Sequence, residues 1–366
     1  MRRWSALVRS TATADQRASQ LPRRLVVIAA LVGGLLSSGC DGPERPEQWR
    51  IALEETAGGV QYEYASRFAE EVEARTDGAV EVRLYPYGAL GSVDDVHEQL
   101  RNNAVHFAFG SGDLSEEVPE SQAFGLHFAL SDDPYVNARA LNDPELLRSE
   151  PVQAAYREAR LELLALVPEG WQVWGSDQPL RRPEDFKGVR LRVMDSPVLR
   201  ETYRAYGARP VHVAFGELYQ ALSEGEVAAM EHPLFLYEDM AFHDHHTHLT
   251  LARHAPHVAS FMANRVFFER LPAERQQMLR TISEDLVEWA HRMQRELNEQ
   301  RRGALADREG LRLIELEETQ RAAFQELARP LRAVYTSNAG PRAEQVLVRL
   351  LEVVERAEEE HGGNGA

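Results

Sequence analysis

Between Trp49 and Phe109 five consecutive segments alternate in hydrophobic period, and no other feature of the chain restricts its fold as much. Trp49–Glu54 (WRIALE) reads as a short strand. From Gln61 to Thr76 the apolar residues Tyr64, Ala65, Phe68, Ala69 and Val72 fall three and four apart, the spacing of one helix face. Val80–Tyr85 alternates as a strand, Tyr87-Gly88-Ala89-Leu90-Gly91 turns into a helix beginning near Ser92, and Val105–Phe109 is a second buried run. A β-α-β-α-β opening predicts a parallel sheet with helices packed on its faces, hence an α/β fold.

The pattern continues. Helices are expected around Pro134–Leu141 and Pro144–Arg160, then a strand over Glu162–Pro168. A second α/β unit runs from about Trp171 to Leu251, and His257–Asn264 has the look of a strand returning to the first unit. Pro272–Ala304 reads as one long helix with Met278, Leu279, Ile282, Leu286 and Ala290 on one face. A strand near Leu311–Leu316 and a helix over Glu318–Tyr335 follow, and the Gly/Asn-rich end at 360–366 is expected to be a disordered tail. The chain shows no internal repeat.

The N-terminus is a different kind of segment. Six arginines (Arg2, Arg3, Arg9, Arg17, Arg23, Arg24) precede an apolar run, Leu25–Leu36, that is short for a membrane span, and Ser37-Ser38-Gly39-Cys40 follows. Residues 1–39 are therefore expected to be a signal peptide. The small residues before Cys40 resemble a bacterial lipoprotein cleavage site, with Cys40 as the acylated residue and Asp41 like a signal for retention at the inner membrane. Cys40 is the sole cysteine, so no internal disulfide is available. The chain carries a formal net charge of -17, and loss of the arginine-rich leader makes the exported part more negative still. Such a surface argues against nucleic acid and against anionic lipid as partners.

The segment that speaks to function is Pro179–Pro233, PLRRPEDFKGVRLRVMDSPVLRETYRAYGARPVHVAFGELYQALSEGEVAAMEHP. Arg192 stands in its short β-type run, Val189–Val193, opened by Gly188 and followed by a Ser196-Pro197 helix start. A guanidinium at a strand end offers a carboxylate two parallel charge-assisted hydrogen bonds. The plainer reading of Arg192 is a surface pair with Asp185 or Glu201.

This stretch resembles the substrate-binding proteins of tripartite ATP-independent periplasmic (TRAP) transporters. In them the matching segment runs roughly PEDLKGLKIRV…SP…Y…GA-x-P…F-S-E-x-Y-x-A-L-x-x-G-x-V-D-G-x-E-N-P. The resemblance extends over nearly the whole exported chain. It implies a periplasmic-binding-protein-like architecture: two α/β lobes, 48–172 plus 256–284 and 173–255 plus 305–340, with a ligand cleft between them and a long spine helix, 272–304, touching both. It also implies a function: extracytoplasmic capture of a carboxylate-bearing small solute, an organic acid or zwitterion, for delivery to the membrane permease subunits, with no cofactor and no catalysis. Localisation would be periplasmic, on the outer face of the inner membrane if Cys40 is lipidated.

Residue by residue, Arg192 matches the carboxylate-binding arginine of that family. His232 stands where the family has Asn in E-N-P; it can donate one hydrogen bond to a carboxylate and would add charge if protonated. Gln172 stands where many members have a second arginine, which disfavours a dicarboxylate. Trp171 and Trp174 flank it, either one a wall candidate. Glu54, in a pattern like that of the ectoine-binding members (Trp49-Arg50…Glu54-Glu55…Gly58…Val60-Gln61), would meet the cationic side of a zwitterion. Phe215 matches an aromatic pocket position, and Phe235 and Tyr237 are further wall candidates. Each has a plainer reading: His232 a turn histidine before Pro233, Glu54 a surface strand end, Phe215 a helix-start staple.

Other functions find less support. The run His243-Asp-His245-His246-Thr-His248 has zinc- or nickel-type ligands but no closed spacing and no HExxH. No phosphate-binding glycine loop, nucleophile elbow or catalytic cysteine is present. Paired acids such as Glu70-Glu71 and Asp94-Asp95 read as solvated helix faces. Two alternatives stay open on sequence alone: a ligand sensor for a receptor kinase, which the same fold would serve, and a metal-dependent hydrolase using the histidine run.

Overall fold

The structure, a computed structural model, describes residues 45–363. The leader 1–39 and Cys40 lie outside them. Ten strands form in chain order: β1 Glu47–Ala52, β2 Val80–Tyr85, β3 Phe107–Gly110, β4 Leu161–Ser176, β5 Arg190–Val193, β6 Arg209–His212, β7 Ala229–Pro233, β8 His248–Leu251, β9 Pro256–Asn264 and β10 Arg312–Glu315. They join in the order β2-β1-β3-β9-β4-β7-β5-β6, with β8 on β4 and β10 on β8. The outer strands pair in parallel, β1 with β2 and β3 on one side, β5 with β6 and β7 on the other.

β4 and β9 connect the two halves. β9 runs antiparallel between β3 and the first part of β4, while Gln172–Ser176 of β4 pairs with β7. The expected strand over Glu162–Pro168 is thus sixteen residues long and passes through Trp171–Trp174. Its register shifts between Pro168 and Gly170. Gly170 adopts φ +122, and a Cβ there would meet the Asn298 amide at 2.5 Å. Only glycine serves at this bend.

Period-two alternation sends successive side chains into separate cores. In the first half Ile51, Phe107, Phe109 and Phe261 pack on one face with Tyr64 and Phe68, while Ala52, Ala108 and Met262 face the other with Leu100 and Tyr156. In the second half Trp174, Leu191 and Ala229 pack with Tyr203 and Phe324, while Val173, Met230 and Leu249 face Leu218 and Leu305. Two sheet halves, each covered on both faces, make the two-lobed α/β architecture.

Several helices differ from expectation. Pro144–Arg160 is two pieces, Pro144–Leu147 and Glu150–Glu158, because Pro151 has no N–H to continue the first. The long helix is broken at Leu286 into Ala273–Asp285 and Val287–Ala306. The second piece still acts as a spine: Ala290 packs in the first half and Leu305 in the second. The end of the chain is not a loose tail as far as 363. Ala343–Gly363 is a helix, and Val346, Leu350 and Val353 are buried in the core of the first half; residues 364–366 lie outside the described chain. No helix among the described residues is long and apolar enough to cross a membrane.

Candidate functional site

Six residues of the cavity wall sit in or just after strands. Glu54 and Glu55 follow β1, Ser111 follows β3, Arg192 lies in β5, Phe215 comes just after β6, and His232 lies near the end of β7. All five strands are members of parallel pairs, so their carboxyl ends open on one crevice, the expected ligand position in such sheets. These six residues share one cavity with an empty volume of ≈ 360 Å³. A neighbouring chamber of ≈ 570 Å³, lined by Gln122, Gln172, Ser196 and Glu231, shares Ser111, Met194 and His257 with it.

Arg192 is buried, 1% exposed. Its Nε donates to the Val213 carbonyl at 3.0 Å and its Nη1 to His232 Nε2 at 2.9 Å. A guanidinium only donates, so His232 accepts through Nε2 and carries its proton on Nδ1. Burial, then the charge of Arg192, holds the His232 pKa well below the usual histidine range. The added charge that protonation of His232 would bring is therefore absent: it is a neutral ring, and its buried Nδ1 meets no partner among the described residues. Phe215 tilts against this ring at 5.4 Å and meets Tyr87 edge-on at 5.1 Å.

The opposite wall is anionic. Glu54 accepts from the Gln61 amide at 3.3 Å and the Ser111 N–H at 3.3 Å, and lies 3.5 Å from His97 Nε2. Burial pushes its pKa up, but His97 and Ser111 outweigh this and hold it below the ordinary value, so it is ionised. Glu55, not singled out by the sequence, lines the same cavity. Its Oε2 accepts from the Gln61 backbone N–H at 2.8 Å, while its Oε1 meets no donor of good geometry. Burial pushes Glu55 up to about 7. The double Glu54-Glu55 was the available signal, but a sequence does not say which of two adjacent carboxylates turns inward where a strand ends.

Gln172 is buried, with Nε2 3.1 Å from His257 Nδ1 and Oε1 unpartnered, but it lines the neighbouring chamber and not the one with Arg192. Trp171 is half-buried on β4 and lines neither chamber. Trp174 is core, stacked on His254 at 4.4 Å. Phe235 is fully buried in the core of the first half, and Tyr237 is buried in the second. The helix that begins right after Pro233 turns about 100° per residue, and it is Leu236 that reaches the cavity.

Behind His232, Glu231 is clasped by a polar group that no sequence spacing announced. It accepts from His254 Nε2 at 2.7 Å and from the Tyr203 hydroxyl, and lies 3.2 Å from His127 Nε2. Trp174 Nε1 donates to Tyr203 at 2.8 Å, and Tyr206 meets His127 Nδ1 at 3.0 Å. His127, Glu231 and His254 are metal-accepting side chains with ligand atoms within 4.8 Å of one another, yet hydrogen bonds alone satisfy the carboxylate and fix β7 beneath His232. In the histidine run, His243 is tied to the Tyr237 carbonyl at 2.6 Å and His246 is buried with both ring nitrogens unpartnered.

A two-lobed α/β chain with a polarised cavity at the strand ends has the build of a solute-binding protein. Comparison with known proteins gives the family: residues 51–338 match the DctP model, bacterial extracellular solute-binding protein, family 7, and the chain belongs to that family. The ectoine-binding periplasmic protein TeaA of Halomonas elongata is 30% identical over 316 residues, 86% of this chain and 92% of that one. A TRAP periplasmic solute-binding protein of Marinobacter aquaeolei VT8, in an apo open structure, is 37% identical with a TM-score of 0.78, over 83% of this chain and 99% of that one. The crystal structure of the Halomonas elongata ectoine-binding protein superposes with a TM-score of 0.80 at 29% identity, over 85% of this chain and 100% of that one.

Proposed function

We propose that the protein is the extracytoplasmic solute-binding component of a TRAP transporter, acting by capture and release, and that its solute is a small zwitterion of the ectoine kind. The observation that carries this reading is the charge arrangement of one cavity. Arg192 presents a buried guanidinium from one sheet half, and Glu54 and Glu55 present buried carboxylates from the other. A solute carboxylate is received by Arg192 and the Nδ1–H of His232. An amidinium or ammonium is received by Glu55, with Glu54 beside it. A dianion would bring like charge against Glu54 and Glu55, whereas a ligand carrying both signs meets the opposite charge on each wall, so the zwitterion is favoured. Phe215 covers the ligand face, where an aromatic ring suits a planar cation.

Ectoine and succinate, titrated separately into the purified exported chain, test the reading. At 100 times its Kd a ligand stabilises the fold by about 2.7 kcal/mol, readily seen as a thermal shift. Ectoine is expected to shift the melting temperature and succinate to leave it unchanged. Micromolar succinate binding with no response to zwitterions would sink the zwitterion assignment.

The location follows from the same role. The leader directs export, and acylation of Cys40 holds the protein at the outer face of the inner membrane, near the permease. Fatty-acid labelling of cells expressing the full chain checks this: label should enter the native protein and be absent from Cys40→Ser.

A further inference from the structure

The segment that follows Arg192 is held from the opposite sheet half. Ser196 caps the helix Pro197–Ala205, its Oγ accepting from the Leu199 N–H at 3.3 Å. The first amides of a helix find no acceptor inside it. One of these, the Val198 N–H, donates to Gln122 Oε1 at 3.3 Å, and the Ser196 hydroxyl donates to the same oxygen at 2.9 Å. Gln122 belongs to the turn Pro119–Gly125, whose Ala123 and Phe124 are buried in the core of the first half. Its Nε2 donates to the Pro119 carbonyl at 3.0 Å, which leaves the amide oxygen facing the helix. The Tyr335 hydroxyl steadies the same turn through the Glu120 carbonyl at 2.9 Å. Beside this contact the Ser115 hydroxyl donates to the Asp195 carbonyl. Gly112 stands so near Met194 that a Cβ on it would meet Sδ at 2.6 Å. Gln122 and Ser196 line the neighbouring chamber, and neither lines the cavity of Arg192, His232, Glu54 and Glu55.

We propose that Gln122 is the latch of the closed form: a positioning residue that touches none of the groups receiving the solute and sets how long any solute stays captured. When the lobes part, Ser196 and Val198 turn to water. When they close, Gln122 takes over both donors at the positive end of the helix. One neutral hydrogen bond adds little beyond the water it replaces, but two on one oxygen move the closed-to-open ratio roughly tenfold. Affinity follows in proportion, since the closed form is the one that retains the solute. The two donors belong to the segment directly after Arg192, so the latch engages only when that strand end meets the first half. The inference rests on capture by lobe closure and not on the zwitterion reading, because Gln122 is indifferent to the charge of the solute.

Two measurements on the exported chain test this, and the first needs no solute. In protein carrying Cys40→Ser, the pair Gln122→Cys and Ser196→Cys is bridged by a short bis-methanethiosulfonate, and scattering is recorded before and after. Bridging should lower the radius of gyration, and reduction should restore it. Failure to bridge means that the segments do not meet, and bridging at constant radius means that they never part; either overturns the latch. If that pair does not fold, Ser115→Cys with Asp195→Cys, across the same cleft, replaces it. The second measurement is stopped-flow binding and release of ectoine. Gln122→Leu should speed release about tenfold and leave the association rate within about twofold of native. Ser196→Ala should also speed release, and the two changes together should do less than the product of the single effects, because they break one contact. An unchanged release rate overturns the latch, as does slower association at unchanged release, which would make Gln122 part of the entry path. If ectoine does not bind, the zwitterion reading falls, succinate takes its place in the stopped-flow measurement, and the bridging result judges the latch by itself.

Discussion

Nη1 of Arg192 lies 2.9 Å from Nε2 of His232, and this contact fixes the proton position on the histidine. The guanidinium has no acceptor, so the ring accepts and its N–H is left at Nδ1. Arginine and histidine thus act as one unit: a cation flanked by a neutral donor, both buried.

Arg192→Ala is expected to abolish ligand binding while the chain still folds. Removing one partner of a buried, hydrogen-bonded charge pair costs roughly 2–5 kcal/mol. Calorimetry on the purified variant decides this, and an unchanged affinity overturns the assignment.

His232 gives a graded version of the same test. His232→Asn keeps one acceptor for Arg192 and one donor for the ligand, and should stay within about tenfold of native affinity. His232→Leu removes both, and at about 1–3 kcal/mol for an unsatisfied buried group should lose roughly 10- to 100-fold. Equal affinities for the two variants would show that the ring does not touch the ligand.

Stability should fall on acidification below about pH 6.5. Burial pushes His246 down to about 3 and His254 to about 4, and holds His232 well below the usual range. The unfolded chain binds protons at these rings from ~6.5 downward while the folded chain does not, so each excess proton removes about 1.4 kcal/mol per pH unit. Glu55 works in the other direction. Raised to about 7, it keeps in the fold a proton that the unfolded chain loses near ~4.3, stabilising the acid side and losing that contribution as pH rises through 7. Scanning calorimetry from pH 5 to 8 should show the acid fall, and Glu55→Gln should steepen it.

How much of this was readable beforehand varies by element. Val80–Tyr85 and Pro134–Leu141 fall where their patterns place them, because alternation and a Pro at the first helical turn are local signals. Asp95 read as part of a solvated helix face, whereas it is the capping-box partner of Ser92. The closing helix Ala343–Gly363 was not among the expected elements, although Val346, Leu350, Val353 and Val354 keep helical spacing. Arg192 and His232 were found through a motif. The clasp on Glu231 was not, because His127, Tyr203 and His254 meet only through the fold and share no spacing. Phe235 misled for the opposite reason: a residue adjacent to the motif can point into the core.

Arg321 is a stability determinant that nothing in the sequence marks. It is 1% exposed, its Nε donates to the Ala252 carbonyl at 2.9 Å, and its two Nη groups grip both oxygens of Asp132. Arg321→Met should cost about 2–3 kcal/mol, the scale of lost hydrogen bonds to a charged group. Urea unfolding should show a lower midpoint at constant slope. A change under about 0.5 kcal/mol, the usual scatter for surface substitutions, would mean that the Asp132 grip contributes nothing.

Binding should compact the molecule. Among the contacts that link segments of the two sheet halves are Tyr87 with Phe215, the Ser115 hydroxyl with the Asp195 carbonyl, and the Ser196 hydroxyl with Gln122 Oε1 at 2.9 Å. We expect the lobes, 48–172 plus 256–284 and 173–255 plus 305–340, to hinge near Trp171–Trp174 and Leu251–His257, the stretches where β4 passes from β9 to β7 and where the chain passes from β8 into β9. Small-angle scattering with and without saturating ectoine should show a smaller radius of gyration in the bound state. An unchanged radius argues for a rigid cavity.

Gln172 offers a way to change the solute. It lines the chamber next to Arg192's, with an unpartnered buried Oε1, and Glu231 in the same wall is already satisfied by His254 and Tyr203. Gln172→Arg would place a second guanidinium across Met194 and His257 from the first, a spacing for two carboxylates in place of one. The new charge is buried and costs several kcal/mol until an anion arrives, so the empty variant should be less stable than native by about 3–5 kcal/mol, recovered on binding. Succinate should gain at least tenfold in affinity, about 1.4 kcal/mol, and ectoine should lose, since its cationic side meets added positive charge. Competition calorimetry with both solutes reads this directly. If Gln172→Arg leaves their ratio unchanged, the second chamber does not take part in ligand choice, and selection rests on Arg192, His232 and the two glutamates alone.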